Sequence, residues 1–83
     1  MKVNKSQAVL LILILLLTKG EIRKEQIQDM IEISNLKFKR YMQELRAFFY
    51  NFNFDYEIVY LRKDNKYIIK NIWWSFNDTY PFL

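Results

Sequence analysis

Five side chains able to donate hydrogen bonds to anions or base edges crowd into one short stretch: Asn35, Lys37, Lys39, Arg40 and Gln43. A second set follows downstream, with Arg62, Lys63 and Lys66. Lys and Arg neutralise phosphates. In a DNA major groove Arg and Lys match guanine, while Asn and Gln match adenine. The chemistry these residues suit is therefore recognition of a double-stranded nucleic acid. Phosphate contacts are expected from Lys37, Lys39, Arg40, Arg62, Lys63 and Lys66. Base-edge contacts are expected from Asn35, Lys37, Arg40 or Gln43. Any one of them alone is ordinarily a solvated surface group, so the case rests on their joint position.

Other chemistry is excluded by what the chain lacks. It has no His and no Cys. Zinc sites of the usual nitrogen and sulfur type, thiol nucleophiles, imidazole bases and disulfides are all ruled out. Glu21, Glu25, Asp29 and Glu32 recur at the spacing of a solvated helix face and form no catalytic pair. No enzyme activity, metal or cofactor is expected. Gly20 and Pro81 are the only Gly and Pro, leaving no phosphate-cradling loop, linker or low-complexity run.

The net charge of +4 is unevenly distributed. Residues 1–20 hold three Lys and no acid, whereas residues 21–33 hold two bases and four acids. Residues 34–46 and 59–71 each hold four bases against one acid. The basic blocks thus coincide with the two donor sets, as a polyanion-binding face requires. Charge blocks also occur on ordinary solvated faces.

Positioning these groups requires specific elements. Eighty-three residues make one domain, which buries only about 60–65% of its unfolded surface. Its composition compensates, at 52% hydrophobic and 18% aromatic. Residues 6–18 read as a first helix, capped by Ser6 and stopped at Gly20. Its run Ala8–Leu17 is apolar all round and demands cover on nearly every side. The run is too short to span a bilayer, which needs about 20 residues. No small-residue cleavage site follows it, which argues against an export signal. A buried helix and a cytoplasmic protein are expected, with no membrane partner.

Residues 24–31 read as a second helix with Ile27, Met30 and Ile31 on one face. Residues 35–51 read as a third, capped by Ser34. Phe38, Tyr41, Met42, Leu45, Phe48, Phe49 and Phe52 form its apolar stripe, and Asn51 or Asn53 could end it in the left-handed region. The period then changes to two. Residues 56–61 and 66–70 form a hairpin turning at Asp64-Asn65, with Ile22 as a short additional strand. Two helices joined tightly, the second basic outside and apolar inside, make a helix-turn-helix. The full order is that of a winged helix-turn-helix, an α+β fold. Residues 1–72 are its domain, and residues 73–83 an aromatic tail. Trp73, Trp74, Phe76, Tyr80 and Phe82 are expected to cover the first helix or join a dimer interface.

With that order in place, the chain resembles the winged helix-turn-helix domains of DeoR-type bacterial transcription regulators and those preceding WYL ligand-sensing modules. Ile27 stands at their helix-two leucine. Ile33 and Ser34 match their Val-Ser, Lys37 and Phe38 their Thr-Ile, Arg40 their Arg, and Met42 and Leu45 their two leucines. Ile58 and Lys66-Tyr67-Ile68-Ile69 are similar to the end of the wing. Tyr41 replaces the family Asp, Glu32 stands where Gly is common, and Lys66 replaces a wing Gly. The resemblance covers about residues 6–70 and implies a small DNA-binding transcription regulator. It leaves no counterpart for a ligand-sensing domain, so no small-molecule ligand is expected. A homodimer through the first helix or the tail is expected. The competing expectation is a winged-helix module that binds protein and not DNA.

Overall fold

The computed structural model describes residues 2–71, so the expectations placed on the tail at 73–83 lie outside the described residues. The elements run α1 (Lys5–Lys19), β1 (Glu21–Ile22), α2 (Lys24–Met30), α3 (Asn35–Asn51), β2 (Tyr56–Leu61) and β3 (Lys66–Asn71). The protein is α+β, with three helices packed on a three-stranded antiparallel sheet of order β1-β3-β2.

Asn4, not Ser6, caps α1. Its Oδ1 accepts from the Gln7 N–H at 2.9 Å, and Ser6 lies inside the first turn. Both residue types cap well, and sequence alone does not decide between two candidates so close together. Gly20 ends the helix as expected, at φ 82°, with its N–H donating to the Leu16 carbonyl. The left-handed backbone there is what favours Gly. α2 stops one residue early, because Ile31 is already extended. Gln26 reaches back to accept from the Arg23 N–H at 3.3 Å, half of a capping box that an arginine, having no acceptor, cannot complete. α3 has the expected bounds, and the Ser34 hydroxyl accepts from the Lys37 N–H at 3.1 Å. Asn53 adopts φ 57° just beyond its end.

The core joins one row from each helix to the sheet. Ala8, Ile12 and Leu16 come from α1. Ile27 and Ile31 flank the turn before α3. Phe38, Met42, Leu45 and Phe49 come from α3, with Ile22 and Ile58 from the sheet. Two expectations of burial fail. Met30 remains 44% exposed. Phe48 and Phe52 fall beside the α3 core row, not within it, and their rings stack on each other at 5.3 Å. On α1, Leu10, Ile14 and Leu17 are 58%, 54% and 46% exposed, so among the described residues the outer face of this helix has no cover. No helix among them is long and apolar enough to cross a membrane.

In the sheet, Tyr56, Ile58 and Tyr60 sit opposite Asn71, Ile69 and Tyr67. Period-two alternation puts these side chains on the face that meets the helices. The Ile69 N–H donates to the Gly20 carbonyl at 3.1 Å, on the β1 side. Ile58, paired with Ile69, therefore points its own N–H and C=O away from β3, toward the open edge of β2.

A domain of this size has a stability of roughly 4–12 kcal/mol. Met42→Ala empties a fully buried site and is expected to remove about 2–5 kcal/mol, whereas Ser34→Ala removes only a cap worth about 1 kcal/mol. Urea denaturation checks both. Equal losses would contradict the assignment of Met42 to the core and Ser34 to the surface.

Candidate nucleic-acid interface

The rotation of α3 is set by its buried row. With Phe38, Met42, Leu45 and Phe49 inward, helical geometry turns Leu36, Arg40, Gln43 and Ala47 outward. Lys37 and Glu44 then flank the outward row on the α1 side. Asn35, Lys39 and Arg46 flank it on the sheet side. Lys37, Lys39, Arg40 and Gln43 are all exposed. Their side chains make no hydrogen bond or ion pair among the described residues, which leaves three cations and an amide unengaged on the first half of the helix.

The structure divides these residues between two surfaces. Lys37, Arg40 and Gln43 line a shallow groove of about 360 Å³ with Lys5, Tyr41, Glu44 and Ala47. Across it, Lys5 Nζ donates to Glu44 Oε2 at 3.2 Å, tying the first turn of α1 to the middle of α3. Both partners are mostly exposed, so the pair adds little stability. Asn35 and Lys39 lie on the other side of the outward row, in a separate concavity facing β3. Asn35 is also part of the joint between α2 and α3. Gln28 Nε2 donates to Asn35 Oδ1 at 2.9 Å and to the Ile33 carbonyl at 3.3 Å.

Arg62 and Lys63 occupy the exposed hairpin turn, apart from the α3 set. The turn itself is held closely. Asp64 N–H donates to the Leu61 carbonyl and Asn65 N–H to the Arg62 carbonyl, at 3.2 and 3.3 Å. Asn65 takes φ 52°, a backbone that Asn tolerates better than most residues. Tyr60 Oη donates to Asn65 Oδ1 at 2.7 Å. Arg23 Nη1 donates to the Asp64 carbonyl at 2.6 Å, with the Asn65 carbonyl at 3.5 Å. The N-cap residue of α2 thus reaches across to the turn that carries Arg62 and Lys63.

Lys66 belongs to a different setting from the other site residues. Its Nζ donates to Glu21 Oε1 at 2.7 Å, and its side chain keeps only 22% exposure. This ion pair joins β3 to β1, so the ammonium is already engaged. Sequence reasoning did not find Arg23, Lys24, Gln28 or Tyr67. Arg23 and Lys24 stand in a block of net negative charge, and the hairpin residues that Arg23 bonds and that Lys24 shares a concavity with lie some forty positions away. No local pattern could have signalled them. Among the described residues no group of His, Cys, Asp or Glu is placed to hold a metal ion.

The Lys66 hydrogen bond, with the charge of Lys66 behind it, holds the Glu21 carboxyl below its ordinary 4.5. A carboxyl lowered in the folded state contributes stability above its ordinary value and loses it as pH falls through the lowered one. Wild type is therefore expected to exceed Glu21→Gln in thermal midpoint near neutral pH, with the gap closing as pH drops below 4.5. Thermal melts across that range check this; a gap that persists in acid would show that the pair is not its source. Compared with known proteins, the chain matches no protein-family model, no curated protein and no solved structure.

Proposed function

We propose that the protein binds double-stranded DNA as a winged helix-turn-helix transcription regulator, reading the major groove with α3. The observation that carries this reading is the free outward surface of α3. Lys37, Lys39, Arg40 and Gln43 stand unengaged there, on a helix whose opposite row is locked in the core. A short α2 and a tight, hydrogen-bonded joint precede it, as a recognition helix requires. The braced hairpin supplies Arg62 and Lys63 as a second, phosphate-contacting element. Lys66, committed to Glu21, drops to a supporting role.

In a duplex titration at rising salt, log affinity is expected to fall against log salt with a slope of about −0.9 for each phosphate neutralised. Lys39→Ala weakens all sequences about equally and lowers that slope by about one. Arg40→Ala loses about 1–3 kcal/mol of discrimination at one base pair. These residues are exposed, so folding survives their replacement. If wild type and the Lys37/Lys39/Arg40 triple Ala variant bind genomic and random duplexes equally well, α3 is not the reading element.

The outer face of α1, uncovered among the described residues, favours a protein contact beside the DNA one. Leu10, Ile14 and Leu17 recur at four- and three-residue steps, the spacing of a helix–helix seam. Leu10 and Ile14, with Val3, Gln7, Leu11, Met30 and Ile31, line an apolar groove of about 540 Å³ between α1 and the end of α2. Gln7 is the one polar side chain among its lining residues. An apolar helix face of this kind can meet its own copy about a two-fold axis, so the partner proposed is another copy of this chain. Sedimentation at about 100 µM is expected to show a dimer that Ile14→Glu abolishes without loss of helical signal. A wild-type monomer at that concentration would remove this surface as a self-contact.

A further inference from the structure

Three elements meet around a second concavity, of about 290 Å³. Lys24 comes from the first turn of α2, Asn35, Leu36, Phe38 and Lys39 from α3, and Tyr67 from β3. Its floor is aromatic and fixed. Buried Phe38 meets the Tyr67 ring edge-on at 5.5 Å, and Tyr67 lies 4.8 Å from Tyr60. The phenol therefore cannot swing away without disturbing two neighbouring rings. The lining offers four hydrogen-bond donors and no carboxylate: two ammonium groups, one amide and one phenol. The Asn35 amide is oriented, because its Oδ1 accepts from Gln28 and leaves Nδ2–H as the free end. Burial, reinforced by Tyr60, pushes the Tyr67 phenol up from 10.0, so it remains a donor at neutral pH. The side chains of Lys24 and Lys39 and the Tyr67 hydroxyl have no partner among the described residues.

We infer that this concavity is a phosphate subsite, taking one backbone phosphate of the duplex immediately beside the helix that reads it. The inference rests on the DNA-binding reading and adds Lys24 and Tyr67 to it. Lysines suit this role because an ammonium is a point charge that needs no planar partner. The concavity is open to solvent on one side, so a phosphate can enter while its adjoining sugars rest at the lip. Leu36, 59% exposed at the lip, offers those sugars an apolar contact. Specificity is not expected here, since a phosphate carries no base identity. What the subsite supplies is register, pinning α2, α3 and the sheet to one point on the backbone.

The test compares full-length wild type, Lys24→Gln, Lys24→Arg and Tyr67→Phe in duplex titrations across salt, with thermal melts as the folding control. Lys24→Gln is expected to lower the salt slope by about one and to weaken specific and random duplexes alike. Lys24→Arg restores the slope. Tyr67→Phe keeps the ring and removes only the hydroxyl, so it is expected to cost about tenfold in affinity at unchanged slope. If wild type binds duplex with a clear salt slope while Lys24→Gln and Tyr67→Phe match it, the subsite is refuted and the DNA-binding reading stands. If wild type shows no salt-dependent duplex binding, both fall together.

Discussion

The position of every exposed group on the basic surface depends on one packing constraint, the burial of Phe38, Met42, Leu45 and Phe49 along a single row of α3. Each side chain is at most 4% exposed, and together they close the contact of the helix with α1, α2 and the sheet. A helix locked on one side has no rotational freedom left on the other. The outward row is thereby fixed as Leu36, Arg40, Gln43 and Ala47, and the flanking lysines are dealt one to each side. Phe38 adds a second function. Its edge-on contact with Tyr67 links the helical layer to β3, so the helix and the hairpin carry their cations in a fixed mutual frame.

That frame is reinforced by polar bonds of unusual reach. Arg23 spans from the start of α2 to the hairpin turn, and Lys66 from β3 to Glu21. β1 is only two residues long, yet it ties the end of α1 to the middle of the hairpin through its pairs with Tyr67 and Ile68. A hairpin alone is marginal in water. This one is anchored by a third strand, an ion pair and an arginine clamp. Two of these attachments use charged residues that composition counts as surface charge. The number of cations available to a polyanion is accordingly smaller than the net charge suggests.

Much of this architecture was legible in the sequence, for identifiable reasons. α3 could be bounded to the residue because a Ser cap, an unbroken 3.6-residue stripe and Asn53 beyond its end all agree. The hairpin was legible because the period changes to two around an Asx turn. The cap of α1 was missed because Asn4 and Ser6 compete on equal chemical terms. The cover of α1 is a different matter: an apolar run shows that burial is favourable, not where a partner will come from. Of the candidate site, the α3 residues were visible through their clustering. Lys24 and Tyr67 were not, because the concavity they line exists only after α2 and β3 have been brought against α3. The ion pair of Lys66 was equally hidden, since its partner Glu21 is forty-five positions away in sequence.

The edge of β2, unpaired among the described residues, has a consequence for strand addition. At Ile58 the backbone faces outward, presenting a carbonyl that a strand from another molecule could pair with. Arg46, on the same helix that carries the basic surface, donates to that carbonyl through Nη2 at 3.3 Å. An incoming strand must displace a guanidinium before it can extend the sheet, and it must also approach the charged Glu57 beside it. Charged side chains guard exposed edges in this way in many sheet proteins. One helix thus divides its cations by direction. Those on its outer rows have no partner among the described residues, and the one turned toward the sheet occupies a carbonyl at its edge.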